Sequence, residues 1–443
     1  MTIRTRGPRL AVWALAALMV SCGGGGSTGA SGSSSCDVAS QNDWLRGHMN
    51  DRYFWSGVAP NPEPAGYATV QSYFDALLYG GDAIVPGDRW SYIEDSVRYN
   101  QFFGEGRTLG YGVFVNGLEA SLPLKLRYVE PLSPAAAAGL KRGDTILSIN
   151  GRSDADIVAS GDFTLLTPGQ AGEVLSLEID GGSGARTIQM TAATYELVPV
   201  PVATVLTLSN GTQAGYLVLK DFITQAEAPL AQAFAQFRAA GATELILDLR
   251  YNGGGRVSTA NVLASLVAGA SQQGRVFTRL SYNARQQGSN RDFQFTSQPG
   301  PAFGRVIVLT GPRTCSASEL LVNGLRPYVN VVTIGATTCG KPFGFNPVES
   351  CGSTFNAVNF EALNALGEGR YYNGIGASCG ASDDFRGELG DPAEKLTAAA
   401  GGYLQTGVCP AVSASREQQP AASSRRRAAQ QAEPGERRGM RAD

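Results

Sequence analysis

Near the start of the chain, apolar residues recur at helical spacing. Trp44, Leu45 and Met49 form one stripe, and Val70, Phe74, Leu77 and Leu78 form another, a period that predicts short helices. Gly80-Gly81 and Pro86-Gly87 break the pattern before the aromatic-rich stretch 90–103. Residues 36–105 are therefore expected to form a small helical cap whose aromatics pack together rather than cage a ligand. From 106 to 197 the rhythm changes to short β-rich runs at 112–115, 124–129, 174–179 and 187–190, separated by Gly and Ser. Among them a short helix is expected at 134–138, stopped by Gly139. A turn at Gly143-Asp144 follows, and then a strand carrying Ile146 and Ile149 that ends at Asn150-Gly151. From 198 to 409 the pattern becomes α/β. Strands are expected at 214–219, 244–249, 305–310 and 331–334, with one helix burying Leu230, Phe234 and Phe237 and another running from Ser316 to about Arg326. Residues 410–443 are rich in Ala, Gln, Ser, Pro and Arg without apolar periodicity, which predicts a disordered tail.

Composition narrows the setting. A chain of 443 residues suggests two or three domains at roughly 100–200 residues each. Its 43% hydrophobic content supports packed cores, and a formal charge of −2 gives no general attraction to nucleic acid. Arg4, Arg6 and Arg9 precede an apolar run at 10–20 that meets Ser21-Cys22. That run is too short for a spanning helix, which needs about 20 residues. Leu18-Met19-Val20-Ser21-Cys22 resembles a bacterial lipobox, so residues 1–21 are expected to be a lipoprotein-type signal peptide. Cys22 is the expected lipidation site, and residues 22–35 a Gly/Ser tether. Met19 stands where Leu is more usual, which leaves ordinary signal-peptide cleavage as the alternative. Either route exports the chain from a bacterial cytoplasm to the cell envelope, and lipidation would anchor it to a membrane facing the periplasm.

Six cysteines remain after Cys22, an even number that in an exported chain predicts disulfides. Six allow 15 connectivities. The pairing expected here is Cys36 with Cys409, Cys315 with Cys339, and Cys351 with Cys379. No short Cys-x-x-Cys or Cys/His cluster appears, so no metal is expected, and no cofactor.

The candidate chemistry lies in Thr314-Cys315-Ser316-Ala317-Ser318-Glu319 and Thr338-Cys339-Gly340-Lys341, with Ser316 and Lys341 25 residues apart. The single histidine, His48, is remote in sequence, so a Ser/Lys hydrolase is expected in place of a Ser/His one. A serine hydroxyl needs a base to take its proton. Lysine serves only when neutral, which an unperturbed pKa of about 10.4 forbids near pH 7 and an apolar pocket favours. Ile334, Pro342, Phe343 and Phe345 could supply that pocket. An oxyanion site needs backbone N–H donors, each worth roughly 3–4 kcal/mol. Gly253-Gly254-Gly255 and the N–H of Ala317 are the candidates. Ser318 is expected to cap or pack, and Glu319 to be structural in the first helical turn.

Residues 129–151 strongly resemble a PDZ domain of the bacterial protease type. Gly110-Tyr111-Gly112-Val113 matches its carboxylate-binding loop, where backbone N–H groups would hold a peptide's C-terminal carboxylate. A PDZ domain used only as a spacer or lid is the alternative. This segment is followed by Asp-Leu-Arg-x-Asn-x-Gly-Gly at 248–255, Ser-Ala-Ser-Glu at 316–319 and Gly-Lys at 340–341. The ordered set resembles the carboxyl-terminal processing, or tail-specific, proteases over about residues 40–400.

The resemblance implies a multi-domain α/β chain: helical cap, PDZ-like domain and an α/β catalytic domain of the ClpP/crotonase-like type. It also implies Ser316 as nucleophile, Lys341 as base, Gly254 and Ala317 as oxyanion donors, and protein or peptide substrates with accessible C-termini. One departure stands out. The family's glutamine four residues after the lysine is here Phe345, so Asn346 or a backbone carbonyl would have to orient Lys341. That departure favours the alternative of a non-catalytic peptide- or ligand-binding protein. An acyl-ester hydrolase or amidase is a third reading, which the PDZ segment disfavours.

Overall fold

The computed structural model describes Thr2 and residues 35–117, 122–300, 302–410 and 439–442. The signal segment, Cys22, nearly all of the tether and residues 411–438 of the tail lie outside the described residues.

Helix α1 (Val38–Arg52) starts where the Asp37 carboxylate accepts the Ser40 N–H at 2.9 Å. Helix α2 (Val70–Ala76) is capped in the same way by Thr69. A strand, β1 (Tyr92–Asp95), and a short helix, α3 (Ser96–Asn100), follow, so the cap is not purely helical. Its core of Leu45, Met49, Trp55, Phe74 and Trp90 is completed by Phe343, Phe355 and Val358 from far along the chain. The cap thus shares its hydrophobic core with the later α/β part of the chain.

The PDZ-like segment contains β2 (Arg107–Gly110), β3 (Val113–Val115), β4 (Leu126–Val129), α4 (Pro134–Ala137), β5 (Thr145–Ile149), β6 (Arg152–Ser153), α5 (Asp154–Ser160), β7 (Val174–Asp180), β8 (Ala185–Thr191) and β9 (Ala193–Glu196). Strands β6-β5-β7-β8 form one sheet, while β3 pairs with β4 and β2 with β9. Val115, Leu126, Ile146, Ile149, Leu175 and Leu177 fill its own core. Helix α4 ends as expected at Gly139, whose φ of +76° suits a residue without a Cβ.

The third segment runs through β10 (Val202–Thr207), β11 (Gln213–Val218), α6 (Glu227–Ala239), β12 (Glu244–Asp248), β13 (Gly254–Arg256), α7 (Val257–Ala268), β14 (Val276–Tyr282), β15 (Arg291–Gln294), β16 (Arg305–Thr310), α8 (Ala317–Leu325) and β17 (Asn330–Gly335). It continues with β18 (Phe343–Gly344), β19 (Val348–Ser350), β20 (Ser353–Asn356), β21 (Phe360–Leu363), β22 (Cys379–Gly380), α9 (Lys395–Thr406) and β23 (Gly439–Arg441). The main sheet has the order β10-β11-β12-β16-β17-β22, and all its pairings are parallel except β10 with β11. Leu245 and Leu247 of β12 face one core with Phe234, Leu263 and Leu321, while Ile246 faces the other with Leu396 and Ala400 of α9. Burial on both faces explains why these strands read as unbroken apolar runs. A second sheet, β15-β14-β21-β18, is antiparallel.

Two expectations are corrected here. The disulfides are Cys36–Cys351, Cys315–Cys339 and Cys379–Cys409, so only the middle pair matches. The start of α1 lies beside the β19–β20 turn that holds Cys351, and the end of α9 lies beside β22, which holds Cys379. Within the tail expected to be disordered, residues 439–441 instead form β23, which pairs in parallel with β13.

Candidate active site

The serine loop leaves the C-terminal end of β16. Thr314 braces it, because its Oγ1 donates to the Leu249 carbonyl at 2.8 Å and accepts from the Gly311 N–H at 2.9 Å. The Cys315 N–H donates to the Asn252 carbonyl at 3.0 Å. Ser316 then takes φ +61° and ψ −113°, an unusual conformation for a residue with a Cβ. Such a backbone costs about 1–3 kcal/mol and must be imposed by its surroundings. Helix α8 starts at the next residue, which aims its N-terminal amides at the same space. The Ser316 Oγ is fully buried and has no hydrogen-bond partner.

Glu319 joins this loop to the lysine loop. Its buried carboxylate accepts the backbone N–H groups of Ser316 at 2.9 Å, Gly340 at 2.7 Å and Lys341 at 2.8 Å, together with the Thr338 hydroxyl. Burial raises the Glu319 pKa, and the hydrogen bonds from Thr338, Lys341, Ser316 and Gly340 oppose that rise. The Cys315–Cys339 disulfide and the Cys339 N–H to the Thr314 carbonyl at 3.0 Å fasten the same two loops again. Gly340 has φ +86°, and a Cβ there would meet the Tyr372 carbonyl at 2.4 Å, so the turn into Lys341 requires glycine. Lys341 is fully buried, with its Nζ 4.7 Å from the Phe345 ring centroid. The aromatic ring that replaces the expected glutamine thus lies directly against the amine. The Asn346 Oδ1 accepts from the Tyr282 hydroxyl at 3.1 Å.

Asn252 organises the glycine turn. Its Oδ1 accepts the Gly254 N–H at 2.8 Å and the Ser318 hydroxyl at 2.9 Å, and its Nδ2 donates to the Leu219 carbonyl at 3.0 Å. The Gly254 amide is therefore engaged, which corrects its expected role as an oxyanion donor. One residue on, Phe222 brackets β13 by bonding the Gly254 carbonyl and the Arg256 N–H. The pleat then turns the Gly255 N–H to the opposite edge of the strand. His48 lies in α1, stacked on Trp44 at 5.3 Å, and burial lowers its pKa to about 4.

Sequence profiles place these parts in a known group. The profile of Peptidase family S41 matches residues 213–370, that of the Peptidase S41 N-terminal domain residues 40–92, and a PDZ domain profile residues 126–156. Residues 40–92 and 213–370 thus carry the profiles of peptidase family S41. The carboxyl-terminal-processing protease of Picosynechococcus is 30% identical to it over 240 residues, 54% of each chain. The carboxy-terminal processing protease CtpA of Bacillus subtilis is 27% identical over 245 residues, 55% of this chain and 50% of its own. The chain thus spans about half the length of the curated relatives it matches. Among solved structures, an S41 protease of Bacteroides fragilis matches with a TM-score of 0.65 at 24% identity, over 83% of this chain and 98% of its own. The photosystem II D1 C-terminal processing protease matches at 0.52 and 19%, over 81% and 96%. Both are likenesses of fold.

Gly110, Tyr111, Gly112 and Val113, the residues expected to form a carboxylate-binding loop, line a cleft with Glu130 and Lys220. Gly112 has φ +80°, and a Cβ there would collide with the Ser133 side chain at 2.1 Å. Glu130 is buried, and desolvation pushes its pKa up to about 8 against the opposing pull of Lys220. Arg142 of the PDZ-like segment bonds the Tyr251 hydroxyl and Asp383 at 2.5 Å each, and Arg250 forms a fork with Glu394 at 2.6 and 2.9 Å. This network joins the PDZ-like segment to the turn that carries Asn252. Sequence reasoning missed it, and it missed the full reach of Glu319. The one available signal was the charged pair Asp248 and Arg250 at the end of an otherwise apolar strand.

Proposed function

We propose that the chain is an exported serine endopeptidase working through Ser316 and Lys341. The observation that carries this reading is the double fastening of the serine and lysine loops by Glu319 and by Cys315–Cys339. It supports a strained nucleophile held beside a buried amine. Ser316 Oγ adds to a substrate's peptide carbonyl while Lys341 accepts its proton. The N–H groups of Ala317 and Gly255 receive the oxyanion. Collapse breaks the C–N bond, Lys341 returns the proton to the departing amine, and water then hydrolyses the serine ester. The apolar burial of Lys341 is the kind of setting in which a neutral amine can act as base. The PDZ-like loop at 110–113 captures the substrate's C-terminal carboxylate.

The test compares wild type, Ser316→Ala and Lys341→Ala on an unfolded reporter whose C-terminus is free or amidated. Each substitution is expected to lower cleavage by about 10⁴-fold or more, and the free terminus to be cut faster by the wild type. Retained cleavage in purified Ser316→Ala protein would refute the nucleophile. Equal rates on the two termini would refute PDZ-guided capture.

A second reading, a non-catalytic peptide-binding protein on the same fold, is favoured by two observations: the Ser316 Oγ makes no hydrogen bond, and Phe345 stands against Lys341 in place of a polar orienting group. Labelling by a fluorophosphonate separates the two, since an inert serine would stay unlabelled.

A further inference from the structure

The last described residues of the chain run through the candidate site. Strand β23 lies parallel to β13 in the register Gly254–Gly439, Gly255–Met440 and Arg256–Arg441. On its other edge the Phe345 N–H donates to the Met440 carbonyl at 2.9 Å, and the Ala442 N–H donates to the Phe345 carbonyl at 3.2 Å. The tail is thus held from both sides, by the strand that carries the oxyanion glycine and by the residue lying against Lys341. Met440 is fully buried in the apolar cluster that includes Phe222, Ala317 and Phe360, and Ala442 is nearly so. Arg441 extends over the rings of Tyr99 and Phe103 at 5.5 and 5.2 Å.

The walls of this channel are built for a main chain. A Cβ on Gly254 would meet the Gly439 carbonyl oxygen at 2.5 Å and the Ser316 Cβ at 2.8 Å, and a Cβ on Gly344 would meet the Met440 carbonyl oxygen at 2.6 Å. Glycine on both sides lets a strand approach that any side chain would exclude. The register also directs the Gly255 N–H toward the Gly439 carbonyl. The point where a Cβ on Gly254 would meet that carbonyl oxygen at 2.5 Å is also 2.8 Å from the Ser316 Cβ and 3.1 Å from the Ala317 N, which brings the Gly439–Met440 peptide bond next to Ser316. A Cβ on Gly439 would meet the Phe345 ring at 2.9 Å, so any larger residue in this subsite would have to displace that ring.

We propose that the channel between β13 and Phe345 binds an extended peptide strand with glycine facing Ser316 and an apolar residue after it. The chain's own residues 439–442 are its resident occupant and hold the serine shut. This deepens the peptidase reading by naming the substrate pattern, and depends on it only where labelling is measured. Tethering supplies an occupant at an effective concentration of about millimolar, so a modest intrinsic affinity suffices to close the groove. An incoming substrate must displace it.

Two measurements test the proposal. In the first, a fluorescent peptide with the sequence of residues 438–443 is titrated onto Ser316→Ala protein, either full length or ending at Arg438. The peptide is expected to bind the shortened chain and to bind the full chain at least about tenfold more weakly. A peptide with valine in place of its glycine is expected to lose binding to the shortened chain. Equal binding to both chains, or to neither, overturns the proposal, and this arm needs no catalysis. In the second, the full-length chain with Met440→Asp, which keeps the length and all other residues, is compared with wild type for the rate of fluorophosphonate labelling at Ser316. Labelling about tenfold faster supports a displaced tail, and equal rates overturn the closure. No labelling of either would refute the Ser/Lys reading, with the peptide titration still deciding the groove.

Discussion

Glu319 is the residue on which both candidate catalytic groups depend. Its carboxylate is an acceptor only and receives four donors, among them the main-chain amides of Ser316 and Lys341. Glu319→Gln would turn an NH₂ group toward those donors. It is expected to lower kcat by about 10- to 100-fold with little change in KM, and to cost about 1–3 kcal/mol of stability. Unaltered kinetics in a folded Glu319→Gln protein would show that the clamp does not position the site. Glu130 makes a prediction about pH. Its pKa in the folded state stands near 8 against an ordinary 4.5, mainly because burial disfavours the carboxylate. Between those values the folded state holds a proton that the unfolded state has released, so stability falls as pH rises through that window. Glu130→Gln cannot ionise and is expected to flatten the decline in urea midpoint between pH 5 and pH 8.5. Parallel profiles for the two proteins would count against it. At this scale the chain was partly legible, since Ser316, Ser318 and Lys341 stand out by residue type and spacing. The loss of the Gly254 amide to Asn252 was not legible, because nothing in a run of three glycines says which N–H a nearby side chain will take.

Among the elements, the parallel strands β12, β16 and β17 were readable because burial on both faces leaves a continuous apolar signature. Strand β1 was not, since its four residues, Tyr92 to Asp95, include two carboxylates and its partner β20 lies more than 250 residues away. The start of α8 depends on the loop before it, and the Cys315–Cys339 bond closes a loop with a sequence separation of 24. Replacing both cysteines by serine is expected to cost about 3 kcal/mol, mostly through a freer unfolded chain, and to slow turnover by loosening the two loops. An unchanged denaturation midpoint would contradict the first expectation. The other two disulfides join the start of α1 to the β19–β20 turn and the end of α9 to β22, and such pairings depend on where helices pack rather than on cysteine spacing.

The whole molecule is tied together across its segments. The cap shares its core with Phe343 and Phe355, and Arg142 reaches from the PDZ-like segment to Tyr251 and Asp383. Buried charges of this kind stabilise only as a complete set, since removing one partner typically costs about 3–5 kcal/mol. At the other end, lipid anchoring at Cys22 is the expectation drawn from the resemblance of residues 18–22 to a lipobox. Cys22→Ala is expected to abolish incorporation of labelled palmitate and to release the protein from the membrane fraction, and continued labelling would rule out that cysteine. By itself, the sequence determined the fold class, the order of its segments, and the residue types available for acyl chemistry. These follow from periodicity and short motifs, which are local properties of the chain. The tertiary structure alone decided which cysteines pair, which glycine amide Asn252 takes, what Glu319 holds and where residues 439–442 lie. Each of those outcomes depends on surfaces brought together from distant parts of the chain, whose fit no local pattern encodes.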